Sequence, residues 1–516
     1  MHARGPRLEQ ARSASRLIGS ALTALAVTVT AAAAGIAFAP AAAGAATPST
    51  PSTPRLSDGY GLHVVSQRRV KSRLLAVTLS TRALYGRPKV DILLPAGYSA
   101  AGNRRRRYPV LYLLPGTSGT AADWVDLGDA EQASAGLPMI IVSPDIAIDG
   151  DGGGWCTNWW NRNTQQTGGV HDWETFHIDE LIPWIDHNLR TRADRRGRAI
   201  AGLSQGGFCS MSYAARYPDL FGVALAYSGA PDIAYNELAI GPSTSIINFT
   251  ETVYDHVPAN SMFGPRATEE LNWANHDPAT LAPNLRDTKL LIYAGNGQPG
   301  PLAGPGCATT FAEGIESLVG EDTTLFHNRL VALGIPSVYD AYGPGTHCFA
   351  YWARDLKQSV GAIARDFAHP LRPPRKVTYT IADPSYSIYG WHVTMHRLAE
   401  EFSTLENADA LGFALSGSGS ATVTTPPVYV ARAKYRLTLH GPRVHRTIRV
   451  KAGADRRLRI NLPLGPANRY QQYSAAAQTA GTAVFTTGVA IRRSPRVVAA
   501  RRQALACSAQ SRYSCQ

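Results

Sequence analysis

Cysteine, methionine and long apolar runs are the scarce features of this 516-residue sequence. Past residue 40 no apolar run reaches the roughly 20 residues that a membrane-crossing helix needs, which argues against a protein of many spans. The six cysteines include no Cys-x-x-Cys pair, so neither a zinc ribbon nor a thioredoxin-like motif has support. Charged residues make up only 17% against 44% apolar, a balance that goes with packed cores rather than disorder. No internal repeat is visible, and the length predicts two folded units plus a leader.

What is present begins with a processing signal. Arg4, Arg7, Arg12 and Arg16 precede an alanine-rich apolar run over 17–40 and a small-residue site, Ala43-Gly44-Ala45. This pattern predicts a signal peptide over 1–45 and export, in preference to a single membrane anchor. A Pro/Ser/Thr-rich spacer and lead-in follows over 46–72. Export to a secreted or envelope-associated location permits disulfides among Cys156, Cys209, Cys307, Cys348, Cys507 and Cys515, and the sequence leaves all 15 pairings open. Cys507 and Cys515 are the simplest local pair to imagine.

Charge divides the chain. Residues 1–45 carry +3, 46–370 carry −5 and 371–516 carry +15. The basic C-terminal part predicts an anionic cell-envelope polymer as partner rather than nucleic acid; plain solubility of a solvated sheet is the alternative.

Over 73–370 apolar strands alternate with helices. "KVDILLPAGY" (89–98), "PVLYLLPG" (109–116), "PMIIVSPD" (138–145), "RAIAGL" (198–203), "VALAYSG" (223–229) and "KLLIYAG" (289–295) read as strands, and 173–189 as a helix despite Pro183. This predicts an α/β fold with a mostly parallel sheet covered on both faces. Past a Pro-rich basic linker, "KYRLTLH" (434–440), "RTIRV" (446–450) and "RLRINL" (457–462) alternate with period two, predicting an all-β sandwich-like domain over 371–496 and a basic Cys-containing tail over 497–516. The stretch 389–413 fits a strand or a helix equally.

The chemistry centres on Gly202-Leu203-Ser204-Gln205-Gly206, a Gly-x-Ser-x-Gly pentapeptide that chance alone would supply about 0.3 times in such a chain. Its context is what counts: an apolar strand enters it and a helix leaves it, as a nucleophile elbow requires. Serine needs a histidine base held by a carboxylate, in the chain order Ser, acid, His. His347, on a glycine-flanked turn after a strand, fits as the base. His327 sits in a helical pattern, and His171, His177 and His187 precede the serine. For the acid, spacing leaves Glu313 and Glu316 open, with Asp287 and Asp322 less favoured.

Several segments in order resemble the secreted mycolyltransferases of the antigen 85 complex and the esterase D-like branch of α/β-hydrolases. They are "WETF" (173–176), "GLSQGG" (202–207), "IYAGNGQPG" (292–300), "FAEG" (311–314) and "GTHCFAYW" (345–352), within about residues 75–365. The resemblance implies an α/β-hydrolase fold, a triad of Ser204, Glu313 and His347, and an oxyanion hole made by the N–H groups of Thr117 and Gln205. There are departures. Pro115-Gly116-Thr117-Ser118 lacks the Asp and Arg that hold trehalose in the family, Gln205 replaces Met, and the basic β domain is additional. These features predict an exported, cofactor-independent serine ester hydrolase, with acyl transfer to a sugar or glycerol hydroxyl as the alternative. A catalytically silent envelope-binding protein is the rival of another class.

Three decoys carry less. "GNGQPG" (295–300) has the glycine spacing of a dinucleotide loop, but Pro299 denies it a helix start. Asp145, Asp149 and Asp151 lack the closing Glu of a calcium loop. Trp155, Trp159 and Trp160 suit a cleft wall or core packing equally.

Overall fold

The computed structural model describes residues 54–492, so the leader, the first residues of the spacer, and the tail with Cys507 and Cys515 lie outside the described residues. The first nine strands are β1 (His63–Arg69), β2 (Leu74–Ser80), β3 (Lys89–Leu93), β4 (Val110–Leu114), β5 (Ile140–Pro144), β6 (Arg198–Leu203), β7 (Val223–Tyr227), β8 (Lys289–Gly295) and β9 (Ser337–Gly343). They form one sheet in the order β1-β2-β3-β5-β4-β6-β7-β8-β9. From β5 to β9 all neighbours run parallel, while β1, β2 and β3 join antiparallel.

The central strands VLYLL, RAIAGL and VALAY are buried along their whole length, as expected of parallel strands covered on both faces. One face packs with Phe208 and Met211 of helix Gln205–Arg216 and with Trp173, Phe176 and Trp184. The other packs with Leu356, Val360 and Ile363 of helix Phe349–Ala368.

Two segments differ from the sequence reading. The sheet starts at His63, inside the stretch expected to be lead-in; β1 is an edge strand of mostly exposed residues and so carries no apolar signal. The helix expected over 173–189 is a π-helix at Thr175–Leu181 followed by α-helix at Ile182–Asn188. Pro183 has no N–H to give the carbonyl four residues back, and it sits where the wide turn gives way.

The C-terminal part is all antiparallel. Its strands are β10 (Val377–Ile381), β11 (Ser385–Ile388), β12 (Trp391–His396), β13 (Ser403–Asp409), β14 (Gly412–Gly417), β15 (Ser420–Thr424), β16 (Lys434–Gly441), β17 (Val444–Lys451), β18 (Arg459–Pro463) and β19 (Phe485–Arg492). A six-stranded sheet runs β10-β13-β14-β19-β16-β17 and a four-stranded sheet β11-β12-β15-β18. The undecided stretch 389–413 is thus strand throughout its ordered parts. In β12 Trp391, Val393 and Met395 point inward while His392, Thr394 and His396 point outward.

This β domain is not loosely tethered. Its buried side chains continue the core of the larger sheet. Arg216, buried, pairs with Glu174 at 2.7 Å and with Asp383 of the β domain at 3.2 Å. Asn284 bonds both the N–H and the carbonyl of Thr380, and Asn275 holds Asp383 at 2.7 Å. Among the described residues no helix is long and apolar enough to cross a membrane.

Candidate active site

β6 delivers Ser204 at its C-terminal end, where the chain must reverse into helix Gln205–Arg216 at once. The turn is so tight that Ser204 adopts φ 51°, ψ −123°, a strained left-handed conformation for a non-glycine residue. Gly202 and Gly206 make it possible. A Cβ on Gly202 would stand 2.2 Å from the Gly206 carbonyl oxygen, and one on Gly206 would stand 2.2 Å from that of Pro115. The serine hydroxyl is thereby lifted clear of the sheet.

The turn after β9 carries His347 to it. His347 Nε2 lies 2.8 Å from Ser204 Oγ, and Nδ1 lies 2.8 Å from Glu316 Oε2. The carboxylate at the imidazole is therefore Glu316 and not Glu313, which corrects the expectation drawn from "FAEG". The reason lies in the face of helix Thr310–Ala332. Ala312, Glu316, Val319, Thr323, Phe326 and Leu330 form its buried stripe, and Glu313 is off that stripe in the first, half-buried turn. That stripe is legible in the sequence as an i, i+4, i+7, i+11 pattern, the signal that distinguishes the two residues.

Glu316 is fully buried and fully bonded. Its Oε1 accepts from Ser228 Oγ at 2.8 Å and from the Gly295 N–H at 2.7 Å, and Ser228 Oγ in turn accepts from Trp352 Nε1 at 3.1 Å. Ser228 and Trp352 are site residues that spacing did not single out. Trp352 also meets the His347 ring edge-on, with 4.8 Å between centroids. The carboxylate is thus fixed in orientation and can hold one imidazole tautomer.

Thr117 and Gln205 flank Ser204. Gln205 opens its helix, so its N–H has no intrahelical acceptor. Its side chain reaches across the site: Nε2 donates to Thr117 Oγ1 at 3.3 Å and to the Gly152 carbonyl at 3.1 Å. The same carbonyl accepts from Ser118 N–H at 3.3 Å. Gly152 N–H donates to Asp255 Oδ1 at 2.7 Å. Asp255 is pushed up to about 8, by burial first and then by the charge of Asp151. The loop read as turn-rich, 145–155, therefore braces the turn that carries Thr117.

Two disulfides close on the site, Cys156–Cys209 and Cys307–Cys348. The first ties the 152–156 loop to the nucleophile helix, and the second ties loop residue 307 to the residue after His347. The remaining histidine candidates are elsewhere. His177 is buried between Tyr213 and the Asp145 carbonyl, and burial pushes its imidazole down to about 4. His171 bonds the Thr167 carbonyl and His327 the Ser337 hydroxyl. Asp322 is buried further along the Glu316 helix. Trp155 and Trp159 are core residues and Trp160 is half exposed.

Over Ser204 and His347 opens a cavity of about 460 Å³, walled mainly by Pro242, Ile246 and Phe249 on one side and Phe311, Ile315 and Leu318 on the other. Its first wall is helix Glu237–Phe249, within a stretch, 230–288, that the sequence reading left without elements. Only Ala239, Ser243 and Ile247 of that helix are buried. Of its other apolar side chains, Pro242, Ile246 and Phe249 line the cavity and Leu238 is exposed.

A parallel-centred sheet with a serine at a strained strand-to-helix turn, a histidine after the last strand and a buried carboxylate between them in sequence defines an α/β-hydrolase. More particularly, residues 81–363, over half of the chain, match the family described as Putative esterase, and the chain belongs to that family. It is 32% identical over 295 residues to Esterase Rv1288 of Mycobacterium tuberculosis, covering 57% of this chain and 59% of that one. It is also 32% identical over 216 residues to the diacylglycerol acyltransferase/mycolyltransferase Ag85B of Mycolicibacterium smegmatis, covering 40% and 62%. Among solved structures, MPT51 (FbpC1) of Mycobacterium tuberculosis aligns with TM-score 0.43 and 24% identity over 55% of this chain and 96% of that one. The chain thus spans about three-fifths of the length of the curated relatives named here.

Proposed function

We propose that this chain is an exported serine hydrolase of carboxylic esters with an apolar acyl group. The observation that carries the reading is the continuous hydrogen-bonded line Ser204–His347–Glu316 at the base of an apolar cavity. Ser204 Oγ attacks the ester carbonyl while His347 Nε2 takes its proton. Glu316 accepts from Nδ1–H, holds that tautomer and stabilises the imidazolium. The N–H groups of Thr117 and Gln205 receive the developing oxyanion, an interaction worth a few kcal/mol of barrier. The alcohol leaves with the proton from His347, and water, deprotonated by the same imidazole, releases the acid from the acyl-serine.

The apolar walls around Ile246, Phe249 and Phe311 suit the acyl chain. Water as acceptor is favoured over a sugar or glycerol hydroxyl because the turn at 115–118 lacks the family's trehalose-holding Asp and Arg. A silent binding role is disfavoured by the intact hydrogen-bonded set. Labelling by a fluorophosphonate probe tests the reading. Wild-type protein should label and hydrolyse p-nitrophenyl butyrate, and Ser204→Ala and His347→Ala should do neither. A folded wild type that fails to label would end the catalytic reading.

A further inference from the structure

The outward face of the six-stranded sheet carries a ladder of cations. In β16 Lys434, Arg436, Thr438 and His440 stand opposite Lys451, Arg449, Thr447 and His445 of β17. On the other flank of β16, Arg436 stands opposite Arg492 of β19. Arg436 is thus sandwiched between two arginines, with a lysine pair one step along. These five side chains are exposed, and among the described residues no carboxylate forms an ion pair with any of them. The acidic side chains in the same registers are Asp409 and Glu406 on β13, beyond both β14 and β19, and Asp409 is engaged by the N–H groups of Leu411 and Gly412.

Like charges placed directly across a sheet destabilise it. Protection of an exposed edge against aggregation calls for charge on the edge strand alone. Here β17 is the edge, yet Arg436 and Arg492 lie on β16 and β19, each paired on both sides. Edge protection therefore does not account for the ladder, and a multivalent anion would relieve its repulsion.

We propose that this face binds an extended phosphate-bearing polymer. Adjacent strands lie about 4.8 Å apart and same-face neighbours about 6.8 Å apart along a strand. Five cations at that spacing match a line of repeated anions rather than one isolated phosphate. Three of the five are arginines, whose planar fork matches phosphate oxygens in pairs. The neighbours Thr438, Thr447, His440 and His445 are polar and Ala490 opposite Thr438 is small, so this face offers no large apolar side chain to enter a bilayer, which disfavours a lipid surface. No Trp, Tyr or Phe stands in these outward registers to stack a base, which disfavours single-stranded nucleic acid.

The test measures binding of the full chain to immobilised long-chain inorganic polyphosphate, and to phosphatidylglycerol/phosphatidylcholine vesicles, at 50 and 300 mM NaCl. The variant is Arg436→Gln/Arg449→Gln/Arg492→Gln. The control is Arg104→Gln/Arg105→Gln/Arg106→Gln, which removes the same charge from an exposed loop of the larger domain. The ladder variant should bind polyphosphate on the order of tenfold more weakly and with a shallower salt dependence. The control should bind within about twofold of wild type, and both should keep wild-type ester hydrolysis. Equal weakening in the two variants would reduce the effect to net charge and overturn the assignment. So would wild-type protein that binds the vesicles but not polyphosphate.

Discussion

Glu313 and Glu316 are three residues apart, and only one of them meets His347. Because the pair offers the same chemistry on one helix, it isolates position from residue type. Glu316→Gln keeps the shape and the bonds from Ser228 and Gly295 but loses the charge that steadies the imidazolium, and it allows the wrong tautomer. A loss in kcat of roughly 10⁴-fold is expected, by analogy with loss of the carboxylate in serine proteases. Glu313→Gln should stay within about twofold. Steady-state rates on p-nitrophenyl butyrate decide it, and a severe loss at Glu313 with little at Glu316 would reverse the assignment. The approach of His347 to Ser204 was legible in the sequence because a strand-to-helix glycine turn and a post-strand glycine turn are local patterns. The motif chose Glu313, whereas Glu316 meets the imidazole, since a Phe-x-Glu-Gly match carries no information about which face of the helix is buried. Only the buried stripe through Ala312, Val319 and Phe326 specifies which turn of the helix faces the imidazole.

Elements that are almost wholly apolar, such as β4, β7 and β6 after its first residue Arg198, were readable because burial on both faces leaves little polar interruption. The wall of the cavity was not. Helix Glu237–Phe249 contains Pro242 and several β-branched and hydroxylated residues, a composition of low helix propensity. It sends Ile247 into the core but turns Pro242, Ile246 and Phe249 toward the cavity, so its apolar side chains do not form one stripe. The His347 turn raises a similar issue, because a loop that carries a base must be fixed by something other than a strand. Cys307–Cys348 does this from the adjacent residue, and it also precedes helix Phe349–Ala368. Its loop of sequence separation 41 is long enough for a cross-link to be worth about 2–4 kcal/mol. The Cys307→Ala/Cys348→Ala variant should therefore lose stability of that order in urea unfolding. It should also label more slowly with fluorophosphonate at temperatures where it is fully folded. Unchanged labelling with reduced stability would mean that the disulfide serves the fold and not the base.

At the scale of the whole molecule, burial has placed many carboxyl groups where ionisation is costly. Asp145, Glu251, Asp277 and Asp355 are each pushed up to about 7, and Asp255 to about 8, with burial the leading cause in every case. Unfolded, such groups titrate near 4. Between about pH 4 and 8 the folded chain consequently holds more protons than the unfolded one, and stability falls as pH rises through that window. Glu174 acts in the opposite sense. Burial would raise it, but Arg216 and His276 hold its carboxyl well below the usual range, so its contribution is present above about pH 4.3 and lost in acid. The two trends together place maximal stability on the mildly acidic side, with a thermal midpoint several degrees higher at pH 5 than at pH 8. Asp255 allows the cause to be tested at one atom. Its Oδ1 accepts the Gly152 N–H, its Oδ2 is buried without a partner among the described residues, and Asp151 lies close by. Asp255→Asn retains an acceptor for Gly152 and cannot ionise. The variant should gain stability relative to wild type as pH rises, with the difference growing between pH 6 and 8.5 in scanning calorimetry. Because Gly152 braces both Ser118 and Gln205, the wild type should lose esterase rate over the same alkaline range more steeply than the variant. An identical slope of midpoint against pH in the two proteins would show that Asp255 is not the group whose ionisation loosens the loop.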